Sequence, residues 1–326
     1  MLKLTTKSET WPIQGGFTIS RGTKTSAEVV VVEIFDGHYK GRGECVPYAH
    51  YGETVDSVLA LIRSLEADIM QGMDRKQLQQ RLPAGAARNA VDCAFWDLQA
   101  KKTNCRAWEL AGISTLEALT TAYTLSLDTP ENMYKVAVEN AHRPLLKLKL
   151  AGQEDSERVQ AVRKGAPDAR LIVDANEGWT TEIYQQLIPK LVALGVEMIE
   201  QPLPAGKDEA LRTLNRPIPI CADESCHERA SLDDLLGKYD MINIKLDKTG
   251  GLTEAMALRQ QAEVEGLQIM VGCMLATSLA MAPALVVAQD AAIVDLDGPL
   301  LLDKDRDDGL KFEQGFVYPP QSALWG

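Results

Sequence analysis

Along the first 117 residues, the spacing of hydrophobic positions is typical of strands in some segments and of helices in others. Together these patterns predict a small α+β domain. The valine run in VVVVEI (29–34) is typical of a buried strand, and HYKGRGECV (38–46) predicts its hairpin partner. Helical spacing in ETVDSVLALIRSLEADI predicts a first helix, with core positions Val58, Leu61, Ile62 and Leu65. A second helix, GAARNAVDCAFWDLQAKK, carries an apolar stripe formed by Ala87, Ala90, Val91, Ala94, Phe95 and Leu98.

From about residue 118 onward, short apolar runs alternate with helical segments. The runs are TTAYTLSL (120–127), LLKLKL (145–150), LIVDAN (171–176), VEMIEQP (196–202), IPICADES (218–225), MINIKL (241–246), LQIMVGCM (267–274) and AAIVDLDG (291–298). This alternation indicates a parallel sheet. Eight such strands favour a closed (β/α) barrel that spans residues 118–300. A doubly wound open sheet is the main alternative. Residues 301–326 lack the barrel period, and we expect them to pack back on the first domain.

Polar residues recur on one face of the predicted strands. Lys147 and Lys149 lie two positions apart and therefore share a face, while the intervening leucines share the other. The same division recurs for Asn243 with Lys245, for Asp295 with Asp297, for Asp174 with Asn176 and for Asp223 with Ser225. In a barrel these faces point inward, and the polar groups collect at the C-terminal mouth, where barrel active sites are built. A single such residue is more often a helix cap, a loop anchor or an exposed strand edge, so the prediction depends on their coincidence.

Three of these strands in succession end in a carboxylate. Asp174, Glu200 and Asp223 close the third, fourth and fifth predicted strands, which are neighbours in a barrel. Three converging carboxylates repel one another unless a cation lies between them. Oxygen ligands without histidine or cysteine favour Mg²⁺ over zinc or copper. The sequence therefore predicts a magnesium site at this point.

Two lysines flank the predicted metal site. Lys149 lies on the second strand and Lys245 on the sixth, which places them on opposite sides of an eight-stranded barrel. Burial and a nearby dication would lower their pKa values, so that a neutral amine could take a proton from carbon. A proton removed from one face and returned to the other gives racemisation or epimerisation. We expect Lys147 to steady a substrate carboxylate or the metal ligands.

Several of these segments, in this order, resemble a known family. KLKL, VDAN, EQP, ADES and NIKLDKTGG resemble the muconate-lactonising subgroup of the enolase superfamily, and the likeness extends to GECVPY in the first domain. DLDGPLL near the eighth strand is similar to the corresponding segment of the dipeptide epimerases within it. The resemblance implies a (β/α)7β-type modified TIM barrel with an α+β capping domain. It also implies one Mg²⁺ per subunit on the three carboxylates, with the two opposed lysines as acid/base catalysts.

The resemblance also implies substrate-binding residues, each with an ordinary structural alternative. Asp295 and Asp297 would hold the α-ammonium of a dipeptide, although an Asp-rich β-turn beside Gly298 explains DLDG as well. Arg21 would bind a side-chain carboxylate, or it is a solvated loop arginine. Further pocket-lining positions, which could equally be barrel filling, are Thr124, Cys273 and Leu275. One departure is Ala276 in GCMLATS, where many members of the wider subgroup carry Glu.

These features predict a Mg²⁺-dependent dipeptide epimerase that inverts the α-carbon of the C-terminal residue through a metal-stabilised enolate. The favoured substrate is L-Ala-D/L-Glu, which the resemblance connects to the recycling of cell-wall peptide. Alternatives on the same scaffold are an N-acylamino acid racemase, an o-succinylbenzoate synthase or a muconate cycloisomerase. A non-catalytic binding barrel is a more distant alternative.

Composition narrows the classes of partner. The 326 residues carry a formal net charge of −12 with the acids spread along the chain, so we expect no nucleic-acid partner. The six cysteines include no CxxC pair and read as reduced thiols of a cytoplasmic protein. The apolar run 276–288 is too short to span a bilayer and predicts a buried helix, so we expect no membrane partner. A homo-oligomer is compatible with these features.

Overall fold

An antiparallel sheet begins the chain in the computed structural model, which describes residues 1–152 and 154–326. Within that part of the chain its strands, in spatial order, are β1 (Lys3–Ile19), β2 (Gly22–Phe35) and β3 (Lys40–Cys45). The predicted β2–β3 hairpin is confirmed, with Val30 opposite Cys45. The sequence pattern did not predict β1, because most of its residues are exposed or half-buried and carry little hydrophobic signal.

Helices cover one face of this sheet and complete the capping domain. They are α1 (Val55–Arg63), α2 (Glu66–Met70), α3 (Arg75–Arg81), α4 (Ala86–Thr103) and α5 (Ala107–Leu110). The first predicted helix is divided between α1 and α2. The prediction that Leu61 lies in its core is wrong, because this residue is 42% exposed. The second predicted helix corresponds to α4, whose apolar stripe is buried as expected.

Helix α4 packs unusually close to strand β3, and two glycines permit this contact. A Cβ atom added at Gly41 would lie 2.1 Å from the carbonyl oxygen of Ala94, and one at Gly43 would lie 2.0 Å from that of Ala90. Any larger residue would therefore push the helix off the sheet. The segment GRGEC thus fixes the position of the cap's longest helix.

A barrel follows the short strand β4 (Leu119–Thr120). The described residues form a sheet of eight strands, β5 (Tyr123–Leu125), β6 (Leu145–Lys149), β7 (Arg170–Asp174), β8 (Val196–Glu200), β9 (Ile220–Ala222), β10 (Met241–Ile244), β11 (Gln268–Gly272) and β12 (Ile293–Asp295). Neighbouring strands are parallel and follow chain order, and the amide of Ala122 donates to the carbonyl of Val294 across the remaining gap at 2.8 Å. The prediction of a barrel is confirmed, and the open doubly wound alternative is wrong.

Helices surround the barrel and cover the apolar outer faces of its strands. They are α6 (Pro130–Glu139), α7 (Asp155–Gly165), α8 (Thr181–Ala193), α9 (Leu232–Leu235), α10 (Leu246–Thr249), α11 (Leu252–Val264) and α12 (Ser278–Ala288). The predicted buried helix in the run 276–288 is α12, which is buried along nearly its whole length. Across the part of the chain that the structure describes, no helix is both long enough and apolar enough to cross a bilayer.

The last residues of the chain contact both the barrel and the cap. Strands β13 (Phe312–Glu313) and β14 (Phe316–Val317) form a small antiparallel sheet with β4. Beyond them, Trp325 is fully buried, and its indole N–H donates to the carbonyl of Cys93 in α4 at 3.0 Å. The tail therefore fills part of the cap's interior.

Candidate active site

The inward-facing residues of the barrel change character along each strand. At the N-terminal end they form a buried apolar layer, here called the floor: Ala122, Leu145, Ile172, Met198, Cys221, Met241, Met270 and Ile293. Two residues further along the same inward faces lie seven polar residues and one glycine: Thr124, Lys147, Asp174, Glu200, Asp223, Asn243, Gly272 and Asp295. This second layer, together with Lys149, Lys245 and Asp297 beyond it, is here called the mouth. The strand alternation that the sequence suggested therefore places the polar set at one end of the barrel.

The predicted metal ligands form a row on three successive strands. Asp174 and Glu200 are register partners on β7 and β8, and Asp223 follows the last residue of β9. All three are almost completely inaccessible to solvent. Over residues 1–152 and 154–326, no three acidic, histidine or cysteine side chains meet directly at one point. Instead, the Nζ atom of Lys147 lies 2.6 Å from Glu200 Oε2 and 3.3 Å from Asp174 Oδ2.

The residues present nevertheless suit a hard divalent cation. Oε2 of Glu200 is buried, and among the described residues it has the Lys147 ammonium beside it but accepts no hydrogen bond of good geometry. Burial and the adjacent Asp174 and Asp223 raise the pKa of Glu200 despite the nearby Lys147. An oxygen-only ligand set with a carboxylate of this kind is the donor chemistry that Mg²⁺ prefers.

The two predicted acid/base lysines bind opposite ends of the carboxylate row. Lys149 on β6 places its Nζ atom 2.6 Å from Asp174 Oδ2, and Lys245 after β10 places its own 2.6 Å from Asp223 Oδ2. Strands β6 and β10 are four apart in the sheet order, so the lysines approach from opposite sides of the barrel. Both side chains are at most 9% exposed.

In the arrangement observed here, without a dication, the pKa of Lys245 is raised. Burial alone would lower the pKa of Lys245, but Asp223 and Glu200 raise it well above its usual range. Conversely, burial raises the pKa of Asp174, while Lys149 and Lys147 lower it to about 2. The charges of the lysines and the carboxylates thus stabilise one another, and a neutral amine requires further positive charge among the carboxylates.

The residues expected to hold an ammonium lie next to Lys147. Oδ2 of Asp295 accepts a hydrogen bond from Lys147 at 2.7 Å, whereas its buried Oδ1 has no hydrogen-bond partner among the described residues. Asp297 accepts the backbone N–H of Thr124 at 2.6 Å. Burial and the adjacent Asp295 raise the pKa of Asp297 to about 7. Lys147 therefore contacts two predicted metal ligands and also Asp295, a link that the sequence did not suggest.

A cavity of about 1180 Å³ opens between the cap and the barrel mouth. Its walls include most of the predicted site residues: Arg21, Thr124, Lys147, Lys149, Asp223, Lys245, Cys273, Leu275, Asp295 and Asp297. Asp174 and Glu200 do not line it and lie deeper, in contact with Lys147. Arg21 is not a solvated loop arginine, because it forms ion pairs with Glu224 at 2.8 Å and Glu177 at 3.0 Å.

Two further residues that sequence reasoning did not assign hold the carboxylate row in place. Nδ2 of Asn243 donates to Glu200 Oε1 at 2.8 Å, and the side chain fits only because Gly272 has no Cβ atom. Lys248 is 2% exposed and donates to the carboxylate and carbonyl of Asp223 and to the carbonyl of Asn243. Asn243 shares the inward face with Lys245, which was the available sequence signal, but Lys248 lies in a helical turn and gave none.

At the position of the family departure, Ala276 is completely buried within the apolar core. The loop that carries it is fixed by other residues, since Glu44 from the cap accepts hydrogen bonds from both the amide and the hydroxyl of Thr277. Where many members of the wider subgroup carry Glu, this chain therefore has no acidic side chain to contribute to the mouth.

Eight sequential strands with a capped mouth of lysines and carboxylates define an enolase-type barrel enzyme. Comparison with protein families agrees: residues 1–112 match the mandelate racemase/muconate lactonizing enzyme N-terminal domain, and residues 132–323 match the enolase C-terminal domain-like family. The chain belongs to this family, and it is an isomerase of the racemase and epimerase type.

Two curated relatives are similar over nearly their whole length. The L-Ala-D/L-Glu epimerase of Escherichia coli K12 is 48% identical, with 95% of this chain and 97% of that protein covered. The N-acetyl-D-glutamate racemase of a Pseudoalteromonas species is 46% identical, with 91% and 95% covered.

Two solved structures share the fold. An enolase family member from Agrobacterium tumefaciens, with homology to dipeptide epimerases and with bound sodium and L-Ala-L-Glu, is 51% identical, with a TM-score of 0.99 and both chains fully covered. A dipeptide epimerase from Enterococcus faecalis V583, complexed with Mg and L-Leu-L-Tyr, is 29% identical, with a TM-score of 0.91 and coverage of 98% and 97%.

Proposed function

We propose that this protein is a Mg²⁺-dependent dipeptide epimerase that inverts the α-carbon of the C-terminal residue of L-Ala-D/L-Glu. The observation that carries the proposal is the opposition of Lys149 and Lys245 across one row of buried carboxylates. Support for the substrate comes from the similarity to the Escherichia coli epimerase and to the Agrobacterium structure that holds L-Ala-L-Glu. We place the reaction in murein peptide metabolism.

One Mg²⁺ per subunit would be held by Asp174, Glu200 and Asp223. When bound, it supplies positive charge that draws electrons from the substrate carboxylate and so acidifies the adjacent α-carbon. Lys147 contacts two of these three carboxylates and contributes positive charge to the same region. Asn243 and Lys248 keep the Glu200 and Asp223 carboxylates in position through their hydrogen bonds.

The lysines carry out the proton transfers. For one stereoisomer, the neutral Nζ of one lysine takes the α-proton, and the electron pair of the C–H bond is delocalised into the substrate carboxylate. The ammonium of the opposite lysine then gives its proton to the other face of the carbon. One lysine ends the turnover protonated and the other neutral, so the reverse reaction uses them in exchanged roles.

Substrate recognition is assigned to the residues around this pair. Asp295 and Asp297 would bind the free α-ammonium, since two adjacent carboxylates form a good cation site. Arg21 would face the side-chain carboxylate of glutamate, sharing its guanidinium with Glu177 and Glu224. Thr124, Cys273 and Leu275 line the remaining wall of the cavity.

A second candidate reaction is the racemisation of an N-acylated glutamate. The 46% identity to an N-acetyl-D-glutamate racemase specifically favours it. The two substrates share the reacting carbon and both carboxylates, but an N-acyl group carries no positive charge. The acidic pair at 295 and 297 therefore distinguishes them and favours the dipeptide.

Deuterium exchange tests the proposal directly. The protein is incubated in D₂O with Mg²⁺ and, separately, with L-Ala-L-Glu, N-acetyl-L-glutamate or L-Ala-L-Phe, and α-deuterium is measured by mass spectrometry. We expect exchange and inversion with L-Ala-L-Glu. Exchange confined to N-acetyl-glutamate would support the second candidate, and no exchange in any of them would favour a binding barrel. Addition of a chelator should abolish exchange. Lys207→Ala, at an exposed lysine, is the control variant and should exchange as the wild type does.

The remaining expectations concern the setting of the enzyme. We propose a small dipeptide as its partner, with neither nucleic acid nor membrane involved, and a cytoplasmic location. A homo-oligomer is compatible with this proposal and can be examined by size-exclusion chromatography with light scattering.

A further inference from the structure

The turn that follows β7 has an unusual backbone. Asn176 and Glu177 both adopt left-handed conformations, with φ angles of 43° and 66°. Consecutive residues other than glycine seldom do so, and each costs on the order of 1 kcal/mol or more unless the surroundings hold it in place. The contacts of these two residues therefore show what the strained turn accomplishes.

The first set of contacts reaches the turn between β1 and β2, here called the hairpin tip (Ser20 and Arg21). The carbonyl of Asn176 accepts the hydroxyl of Ser20 at 2.9 Å and Nη1 of Arg21 at 3.0 Å. Oε2 of Glu177 accepts the same Nη1 at 3.0 Å. The strained turn thus holds the hairpin tip against the rim of the cavity.

A second segment of the cap reaches the same carboxylate oxygen. His50 lies in the short 3₁₀ turn Ala49–Tyr51, here called the cap turn, and its Nε2 lies 3.1 Å from Glu177 Oε2. Tyr51 of the cap turn lines the cavity and packs edge-on against His227 at 4.6 Å between ring centroids. One oxygen atom of Glu177 therefore contacts two cap segments that are 29 residues apart in the chain, from Arg21 to His50.

The other contacts of the turn fix it to the barrel. Oε1 of Glu177 accepts the amide of Ala205 at 2.8 Å, and the amide of Glu177 donates to the carbonyl of Gln201 at 2.9 Å. The amide of Asn176 donates to Oδ1 of Asp174 at 2.8 Å. The carboxylate that contacts the cap is thus connected, through one residue, to a carboxylate of the mouth.

We infer that Glu177 is a positioning residue that holds the hairpin tip and the cap turn over the cavity at the same time. Its side chain is 13% exposed, and its partners Arg21 and His50 are 27% and 35% exposed. The acid therefore lies beneath both cap segments and is fixed by the barrel on its far side. Loss of its charge should loosen both segments, although Arg21 keeps its ion pair with Glu224, whereas loss of either cap partner should loosen one.

Hydrogen–deuterium exchange of the intact protein without substrate tests this inference. In Glu177→Gln we expect the amides of 18–23 and of 49–53 both to exchange about three- to tenfold faster, in line with the loss of the partly exposed ion pair with Arg21 and the weakening of the contact with His50. Arg21→Met should accelerate exchange in 18–23 alone, and His50→Asn should accelerate it in 49–53 alone. Acceleration confined to one segment in Glu177→Gln, or in neither, would overturn the inference.

Steady-state kinetics gives a second measurement, which rests on the proposed function. In Glu177→Gln we expect the KM for L-Ala-L-Glu to rise by about tenfold while kcat changes by less than about threefold, because the variant affects closure and not the lysines. Equal losses in kcat and kcat/KM would contradict a positioning role. If wild type lacks epimerase activity altogether, the proposed function fails, while the exchange experiment still decides the role of Glu177. If Glu177→Gln does not fold, Glu177→Asp, which keeps the charge but shortens the side chain, should accelerate exchange in both segments, and acceleration in only one of them would overturn the inference.

Discussion

The floor and the mouth of the barrel are built by the same strands, only two residues apart, yet they differ completely in chemistry. Among the described residues the floor is a layer of buried apolar side chains, seven from the strands and one, Ala122, from the residue before β5. The mouth combines buried carboxylates with buried ammonium groups. The side chains of both layers are buried, although several of those in the mouth line the cavity and none of those in the floor do, so burial alone does not separate stability from function.

The difference lies in what each layer contributes. Apolar burial in the floor stabilises the fold, because each side chain removed from water contributes about 1.5–3 kcal/mol. Burying the charges of the mouth costs solvation free energy. Their mutual attraction offsets most of this cost but adds little net stability. The mouth should therefore tolerate changes that the floor does not, provided that the remaining charges stay compensated.

The largest effects should come from single lysines of the mouth. We expect Lys149→Ala and Lys245→Ala each to lower the epimerisation rate by about a thousandfold, the usual range for loss of a general acid or base. Both variants should stay folded, since Lys147 Nζ remains 3.3 Å from Asp174 Oδ2 and Lys248 Nζ remains 2.6 Å from Asp223 Oδ1. Circular dichroism and rate measurements check this, and substantial epimerisation in either variant would exclude the two-lysine mechanism.

A floor substitution should show the opposite profile. Met198→Ala removes a fully buried side chain, and we expect it to lower the free energy of unfolding by about 3 kcal/mol. The kcat/KM of the folded protein should change by less than about threefold, because the mouth keeps its contacts. Urea unfolding monitored by fluorescence measures the loss, and Val264→Ala, at a residue that is 81% exposed, is the control. A loss of activity without a loss of stability would contradict the division of roles.

Within the mouth, the acidic pair should affect one class of substrate selectively. Asp297→Asn keeps an acceptor for the Thr124 amide but loses a negative charge. We expect the KM for L-Ala-L-Glu to rise by about 10- to 100-fold, the loss of one charge-assisted hydrogen bond. Any turnover of N-acetyl-glutamate should change by less than about threefold. Equal losses for both substrates would show that the pair does not bind an ammonium.

The smallest expected effect concerns pH dependence at the junction between mouth and cap. Asp247 is buried, and its Oδ1 accepts only the amide of Val46 and Nδ2 of Asn89 among the described residues. Burial raises its pKa to about 7. Because the folded state binds the proton more tightly than the unfolded state, this group makes stability fall as pH rises from about 4 through 7.

Asp247→Asn should remove part of this fall in stability with rising pH. We expect the variant to be about 1–2 kcal/mol more stable than wild type at pH 8, and close to wild type at pH 4. Urea unfolding at both values measures the difference, with Asp233→Asn, at an exposed residue, as the control. A variant that is less stable at pH 8 would show that the ionised carboxylate is favourable there.

The sequence predicted the barrel and most of the candidate site because both depend on a local period. Alternation along LLKLKL, MINIKL and AAIVDLDG distinguishes inward from outward faces without any knowledge of partners. The sequence could not show that Lys147 binds Asp295, since these residues are 148 positions apart and meet only when the barrel closes. The direction of the Lys245 pKa shift depends on the same long-range arrangement of charge.

Other features were missed for local reasons. Strand β1 is mostly exposed or half-buried and lacks a strong hydrophobic period. Leu61 has helical spacing but lies on the solvent side of α1. The left-handed Glu177 has side-chain contacts with Arg21, His50 and Ala205, which come from three distant segments. Propensity predicts none of these, because tertiary contacts override it.

The burial of Trp325 has a consequence for how the protein is made. Its indole group lies against α4 and bonds to the carbonyl of Cys93, so the cap begun by the earliest residues is completed by some of the last. A ribosome must synthesise the whole barrel before that gap can be filled. We therefore expect the nascent cap to keep an open apolar slot until Trp325 has been synthesised and can pack against α4.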